Sequence, residues 1–297
     1  MRGVSDRLKL GTRGSRLAQA QAQLVADALG GAEIVTVRSS DGEPGDKERF
    51  VRGVERSVLG GEADLAVHSA KDLPGDRPDE LRLVGVLDRA DPVDAYVGEA
   101  SSLDEVPQGA RVGTASLRRR SQLLALRPDL DVVELHGNVD TRLRKLSEGE
   151  FDGIVVAAAG LRRLEREAEI AFGFGVEELT PAAGQGSLAL EARRDDADVA
   201  AAAASISDHD ALVELTAERA AVATLQATCH TPVGICARLA ADGLTVTGFA
   251  GLVDGSEWVR DRVTGDPEQP AALGQALAER LLAAGAGPIL ERAESAA

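Results

Sequence analysis

The chain has 297 residues, 44% of them hydrophobic, enough for sizeable cores and, by length, for two or three domains. Its formal net charge of -16 argues against nucleic acid or an anionic membrane as partner of the surface as a whole. No apolar run approaches the roughly 20 residues of a membrane span, Met1 to Leu10 is charged rather than an apolar leader, and Cys229 and Cys236 do not make a disulfide framework, so a cytoplasmic, soluble protein is expected.

Leu8 to Gly11 reads as a short strand. Ser15 opens a helix to about Leu29, with Leu17, Leu24, Val25 and Ala28 at helical spacing. Ile34 to Val37 is a second strand, Ser39 to Glu48 a polar loop, Phe50 to Leu59 a helix and Asp64 to Val67 a third strand. This alternation predicts a parallel, wound sheet. Leu83 to Leu87 adds a strand, and Asp88 to Pro92 reads as a crossover. A second unit repeats the pattern with strands at Ala95 to Val97, Arg111 to Gly113, Val132 to Leu135 and Gly153 to Ala157, and with helices starting at Ser116 and Asn138. Thr180 to Gly186 reads as a second crossover, and Ser187 to Ala192 as a strand returning to the first sheet.

Beyond about Asp208 the pattern changes. His209 to Leu225 is helical, Val233 to Ala240 and Leu244 to Leu252 flank a turn, Trp258 to Val263 forms a further hairpin, and Ala271 to Ala284 is an amphipathic helix. The predicted fold class is therefore α/β. Two wound α/β domains are joined by two crossover strands, and a small α+β C-terminal domain carries an antiparallel sheet. The domain boundaries are 1–87 with 187–205, 92–181, and 208–297. Two crossovers between two lobes suit a hinged cleft that grips a ligand.

The basic residues recur just after strands. Only Lys9, Lys47, Lys71 and Lys145 are lysines; the others are arginines. Arg13 follows the first strand. Lys71 and Asp72 lie in His68-Ser69-Ala70-Lys71-Asp72-Leu73-Pro74, directly behind the third. Arg118 and Arg119 fall in the first turn of the helix opened by Ser116, and Arg142 early in the helix opened by Asn138. Ligands of open α/β sheets sit beyond the carboxyl ends of strands, where helix N-termini add N–H groups. Arginines there provide bidentate sites for carboxylates or phosphates. A cation row such as Arg118-Arg119-Arg120 opposes the helix dipole and needs a reason, for which a multi-anionic ligand is one candidate and a solvated surface another. Cys229, in Thr228-Cys229-His230-Thr231-Pro232, is either a small buried hydrophobe or a reactive, modified thiol. Cys236 lies in a strand and is expected to be structural. No standard metal-ligand spacing is present.

Taken together and in order, Gly11-Thr12-Arg13-Gly14-Ser15, His68 to Pro74, Gly113 to Arg119, Gly137 to Arg142, Ala159 to Arg163, Gly184-Gln185-Gly186 and Ala217-Glu218-Arg219 leading to Cys229 resemble the porphobilinogen deaminase (hydroxymethylbilane synthase) family over essentially the whole chain. The resemblance implies two domains related to periplasmic binding proteins and a third bearing a cysteine bound by thioether to a dipyrromethane cofactor, here Cys229. It implies a transferase of haem and tetrapyrrole biosynthesis, a monomer. Such an enzyme joins four porphobilinogen molecules head to tail, with loss of ammonia, on that primer and releases hydroxymethylbilane. Asp72 becomes the catalytic carboxylate. Lys71, Arg118, Arg119, Arg142, His136, Thr114, Ser116 and Asn138 become cofactor ligands, and Arg13, Ser15, Arg163, Gln185 and Lys47 substrate ligands. Positive charge on pyrrole nitrogen then meets a fixed carboxylate, and the cations hold acetate and propionate groups. The chain departs from the family pattern at Ala227-Thr228 before the cysteine, at His136, at Gly53, and in the short segment Ser39 to Phe50. A degenerate, non-catalytic paralogue of that family is an alternative, and two other classes remain at the level of residue types alone. One is a bilobal polycarboxylate-binding protein, and the other a thiol hydrolase pairing Cys229 with a histidine.

Overall fold

A computed structural model describes residues 7–37, 47–75, 77–228 and 231–295, with the side chains of residues 47–50 outside that description. In chain order the elements begin with β1 (Lys9–Arg13), α1 (Arg16–Ala28), β2 (Glu33–Val37), α2 (Lys47–Leu59), β3 (Leu65–Ser69), a 3-10 turn at Ala70–Asp72, and β4 (Leu81–Val86). There follow β5 (Asp94–Gly98), β6 (Arg111–Gly113), α3 (Leu117–Leu126), β7 (Asp131–Val133), α4 (Val139–Ser147), β8 (Gly153–Ala157), α5 (Ala158–Arg163) and β9 (Phe172–Gly173). The last elements are β10 (Leu188–Arg193), α6 (Ala197–Ser205), α7 (His209–Leu225), β11 (Val233–Ala240), β12 (Gly243–Gly251), β13 (Trp258–Gly265), α8 (Pro270–Ala283) and α9 (Ala286–Ser295).

The chain divides into two compact units, residues 1–90 with 187–212, and residues 91–186 with 213–297. The first holds a five-stranded sheet in the order β2-β1-β3-β10-β4. Strand alternation gives this sheet two covered faces. Leu65 and Val67 of β3 pack with Leu10, Val25 and Val199 on one side, while Ala66 between them joins Val54, Val58 and Leu81 on the other.

The second unit holds two sheets. One is five-stranded, in the order β7-β6-β8-β5-β9, and the other three-stranded, β11-β12-β13. In the larger sheet Val155 of β8 packs with Tyr96 and Leu123, and its neighbours Ile154 and Val156 pack with Leu135 and Leu143 on the opposite face. The three-stranded sheet lays Ile235, Val246 and Ala250 against Leu277 and Leu281 of α8.

The predicted class, two wound α/β sheets and a separate antiparallel sheet with helices, is the class observed. One correction concerns strand direction. β1, β2 and β3 run parallel, as do β6, β7 and β8, but β10 runs antiparallel to β3 and β4, and β5 antiparallel to β8 and β9. Both sheets are thus mixed, because the strand beside each parallel trio arrives from a crossover segment and enters from the opposite end. A second correction concerns Leu135, expected at the end of a strand. β7 stops at Val133, which frees Leu135 to turn into the core with Leu143 and Phe151. The helices α5, α6 and α9 and the short strand β9 are additional to the sequence expectation. Residues 39–46 of the expected Ser39 to Glu48 loop lie outside the described residues, and α2 starts at Lys47 rather than Phe50.

Candidate active site

In the first unit, β1 and β3 are parallel neighbours with Gly11 beside Ala66. Arg13 and the stretch from Ser69 to Asp72 therefore leave the sheet at the same end. Ser15, directly after that end of β1, caps α1 by accepting the Ala18 N–H at 3.2 Å. The Ser69–Asp72 segment is fastened locally. Gln21 Nε2 donates to Ser69 Oγ at 2.9 Å, the Ala70 N–H donates to Ser187 O at 3.0 Å, and the Leu73 N–H closes the turn on Ala70 O at 3.2 Å. Ala70 and Leu73 are buried, whereas Lys71 and Asp72 between them are half-buried. The turn thus anchors on its apolar residues and leaves its two charged side chains partly open.

In the second unit the same construction appears twice. β6 lies parallel to β7 and β8, and the segments following β6 and β7 both open helices at one end of the sheet. Ser116 caps α3, its Oγ accepting the Arg119 N–H at 3.4 Å, and Thr114 Oγ1 accepts the Ser116 N–H at 3.2 Å. Asn138 caps α4 by accepting the Thr141 N–H at 2.9 Å. Gly137 before it has φ +114, and a Cβ there would meet Thr141 Cγ2 at 2.8 Å, so the tight approach needs glycine. The carbonyl of Gly137 accepts Arg142 Nε at 2.9 Å. His136 is exposed and lies 2.7 Å from Glu134.

Arg118 and Arg119 point inward rather than along the surface. Both are buried against Asp94, which is 0% exposed. Arg118 Nη1 lies 2.8 Å from Asp94 Oδ2 and donates to Thr180 O at 2.7 Å. Arg119 places Nε and Nη2 on Asp94 Oδ1 at 3.0 and 2.7 Å and Nη1 on Val155 O at 3.1 Å. Gln185, also buried, adds its Nε2 to Asp94 Oδ1 at 2.8 Å and to Pro92 O at 2.6 Å. Burial opposes the charge on Asp94, but the two guanidinium groups hold its carboxyl far below the usual carboxylate range. Burial pushes the Arg118 pKa down. Arg163, at the end of α5, donates to Gly186 O at 2.6 Å, and burial pushes its pKa down to about 10. Cys236 is buried in β11, as expected of a structural thiol.

The structure thus brings Arg13, Ser15, Lys71 and Asp72 to one sheet end of the first unit. In the second unit it brings Thr114, Ser116, His136, Asn138 and Arg142 to the corresponding strand ends. It gathers Arg118, Arg119 and Gln185 around a carboxylate that sequence reasoning missed. Asp94 opens an apolar strand, and a lone acid in that position is the signal that was available. Cys229 and the Lys47 side chain lie outside the described residues. Arg118 Nε and Arg120 Nε are buried N–H groups with no hydrogen-bond partner among the described residues. Among those residues Arg163 also meets no carboxylate. This donor set suits a ligand with several carboxylates.

Two family models match the chain. "Porphobilinogen deaminase, dipyromethane cofactor binding domain" covers residues 8–201, and "Porphobilinogen deaminase, C-terminal domain" covers residues 212–283. Relatives named porphobilinogen deaminase include one from Roseiflexus castenholzii, 45% identical over 97% of this chain and 99% of its own. Another from Brevibacillus brevis is 43% identical over 95% and 96%. A third from Campylobacter concisus is 44% identical over 85% and 82%. Among solved structures, a putative methionine-binding lipoprotein from Bacillus subtilis aligns over 67% of this chain and 89% of its own, with 9% identity and a TM-score of 0.43.

Proposed function

We propose, from the premise that the chain belongs to the porphobilinogen deaminase family, that Asp72 is its catalytic carboxylate and Cys229 its point of cofactor attachment. The activity is that of a hydroxymethylbilane synthase. It polymerises four porphobilinogen molecules head to tail, with loss of ammonia, on a covalently attached dipyrromethane and releases a linear tetrapyrrole. The observation that carries the assignment of Asp72 is its place beside Lys71 on a half-buried turn at the carboxyl end of parallel strands. Its neighbours Ala70 and Leu73 are anchored in the core.

When bound, the dipyrromethane supplies the pyrrole carbon to which the first substrate unit is joined. Asp72 receives pyrrole N–H groups and stabilises the positive charge that develops on them. A fixed, partly desolvated carboxylate does this better than water, which must reorganise. In the first unit Lys71 and Arg13 offer cations to acetate and propionate groups, and in the second unit Arg118, Arg119, Arg142 and Arg163 offer theirs. Ser15, Thr114, Ser116, Asn138, His136, Gln185 and Lys47 complete the polar lining. Support for a polycarboxylate ligand comes from the desolvated Arg163, which meets no carboxylate among the described residues. Arg118, Arg119 and Gln185 are buried and tied to Asp94, so a ligand would meet them only with those bonds in place.

We read residues 1–87 with 187–205, 92–181 and 208–297 as three domains, and the protein as a cytoplasmic monomer with no nucleic-acid or membrane partner. Among the described residues no helix is long and apolar enough to cross a membrane. The test is Asp72→Asn. Porphobilinogen consumption is expected to fall by about three orders of magnitude, in the range for loss of a charge-stabilising group, with folding intact. Near-normal turnover would remove Asp72 from the mechanism. Intact mass of the same preparations is expected to show an excess equal to two linked pyrrole units, abolished by Cys229→Ser.

A further inference from the structure

Glu191 lies in β10 among apolar residues. Its neighbours Leu190 and Ala192 are buried, and its own side chain is 0% exposed. A buried carboxylate in the middle of a strand costs several kcal/mol of desolvation unless cations meet it, so an apolar residue would be the cheaper filling. Two basic side chains meet this one. His68 Nε2 lies 3.3 Å from Glu191 Oε2, and Arg77 Nη1 lies 3.3 Å from Glu191 Oε1. His68 belongs to β3, immediately before the turn that bears Lys71 and Asp72. Arg77 lies on the segment that leaves it.

We propose that Glu191 is a positioning residue that fastens both ends of the Lys71–Asp72 loop through His68 and Arg77. The inference rests on the catalytic reading of Asp72 given above. Its geometry is that of a staple, with one oxygen for the incoming strand and the other for the outgoing chain. The Ala70 N–H and the Ser69 hydroxyl fix the start of the turn, and the Leu73 N–H closes it. Arg77 secures the far side, and Glu191 is what both flanks share.

Glu55 of α2, itself buried, also faces this cluster, and the charge of Arg52 acts on Glu55 in turn. Burial and then the charge of Glu191 raise the Glu55 pKa. Burial works against the charge of Glu191 as well, but His68 and Arg77 hold its pKa below the ordinary glutamate value. Glu191 is also the carboxylate that touches both flanks of the loop. A carboxylate that must receive pyrrole N–H groups at each addition tolerates little displacement, since about 1 Å of misplacement costs up to about 100-fold in rate.

The experiment uses Glu191→Gln in the cofactor-loaded enzyme. The expected kcat falls about 10- to 100-fold, while KM stays within about twofold. The covalent mass excess is retained. Hydrogen exchange in peptides spanning residues 69–77 becomes faster, with peptides over β1 and α1 unchanged. Arg77→Gln, at a partly exposed position, is expected to lower kcat less and to loosen only the outgoing half of the loop. Wild-type kcat with unchanged loop exchange in both variants would overturn the staple. So would faster exchange throughout the first unit, which marks a role in stability alone. If Asp72→Asn keeps near-normal turnover, the catalytic reading fails instead, and the exchange pattern still decides whether Glu191 holds the loop.

Discussion

In each unit a buried carboxylate gathers basic side chains, but the two use it differently. Asp94 in the second unit draws Arg118, Arg119 and Gln185 into a closed cluster in which all the partners are themselves buried. Glu191 in the first reaches His68 and the partly exposed Arg77, whose side chain keeps 29% of its surface. The first arrangement locks a helix start onto the sheet, because α3 cannot shift without breaking three bonds from Arg119 alone. The second fixes a loop and leaves its charged residues half-open. A row of arginines near a candidate site is therefore not by itself a row of ligand contacts. What each guanidinium already holds decides how much of it is left.

The sharpest way to break this comparison is Asp94→Asn. It strands two buried guanidinium groups, which costs about 3–5 kcal/mol. The single tryptophan, Trp258, stacks on Phe249 in the second unit, so its fluorescence in a urea titration reports this loss. The sign with pH follows from the depressed pKa of Asp94. Its stabilisation is present above the ordinary value of 3.8 and is lost as the pH falls toward the much lower folded value. Wild-type protein is thus expected to lose stability on acidification below about pH 4, and Asp94→Asn to lose less over that range. A variant within about 1 kcal/mol of wild type would mean that Arg118 and Arg119 are held for ligand carboxylates rather than for Asp94.

Arg119→Lys is a smaller perturbation. The charge stays, but one ammonium cannot reproduce two bonds to Asp94 Oδ1 and one to Val155 O. The expected cost is about 1–3 kcal/mol in the same titration. Full retention of stability would show that charge, and not the guanidinium fork, anchors α3.

The strand–helix alternation was legible in sequence because β1, α1, β3 and the C-terminal hairpin carry strong periodicity and turn residues. Strand direction was not, since β5 and β10 have the same apolar character as β8 and β3, beside which they run antiparallel. α6 reads Ala-Asp-Val-Ala-Ala-Ala-Ala-Ala-Ser, too uniform to show a face, and α9 contains Pro288 in its first turn, which reads as a breaker although that position tolerates it. Within the candidate site, the positions of Arg13, Lys71, Ser116 and Asn138 after strands were legible. The inward turn of Arg118 and Arg119 was not, because its cause is a single acid in an earlier strand. Glu191 was hidden for the same reason, as a charge inside an apolar strand whose partners lie far away in sequence.

The finest distinction concerns the helix caps, the device the two units share. Ser15 in the first unit and Ser116 and Asn138 in the second each accept one first-turn N–H. α1 and α3 have no acidic residue in the first turn, and α3 begins Leu117-Arg118-Arg119-Arg120, whereas α4 carries Asp140 there. With the cap removed, Asp140 can still accept a first-turn N–H and complement the dipole, but nothing in α3 can. Ser15→Ala and Ser116→Ala are each expected to cost about 1 kcal/mol, and Asn138→Ala about half of that, although its hydrogen bond is the shortest of the three at 2.9 Å. Hydrogen exchange of the first-turn amides in each helix reads these differences. A larger loss at Asn138 than at Ser116 would show that bond length at the cap outweighs the neighbouring acid. It would also mean that the arginines of α3, held by Asp94, no longer oppose their own helix start.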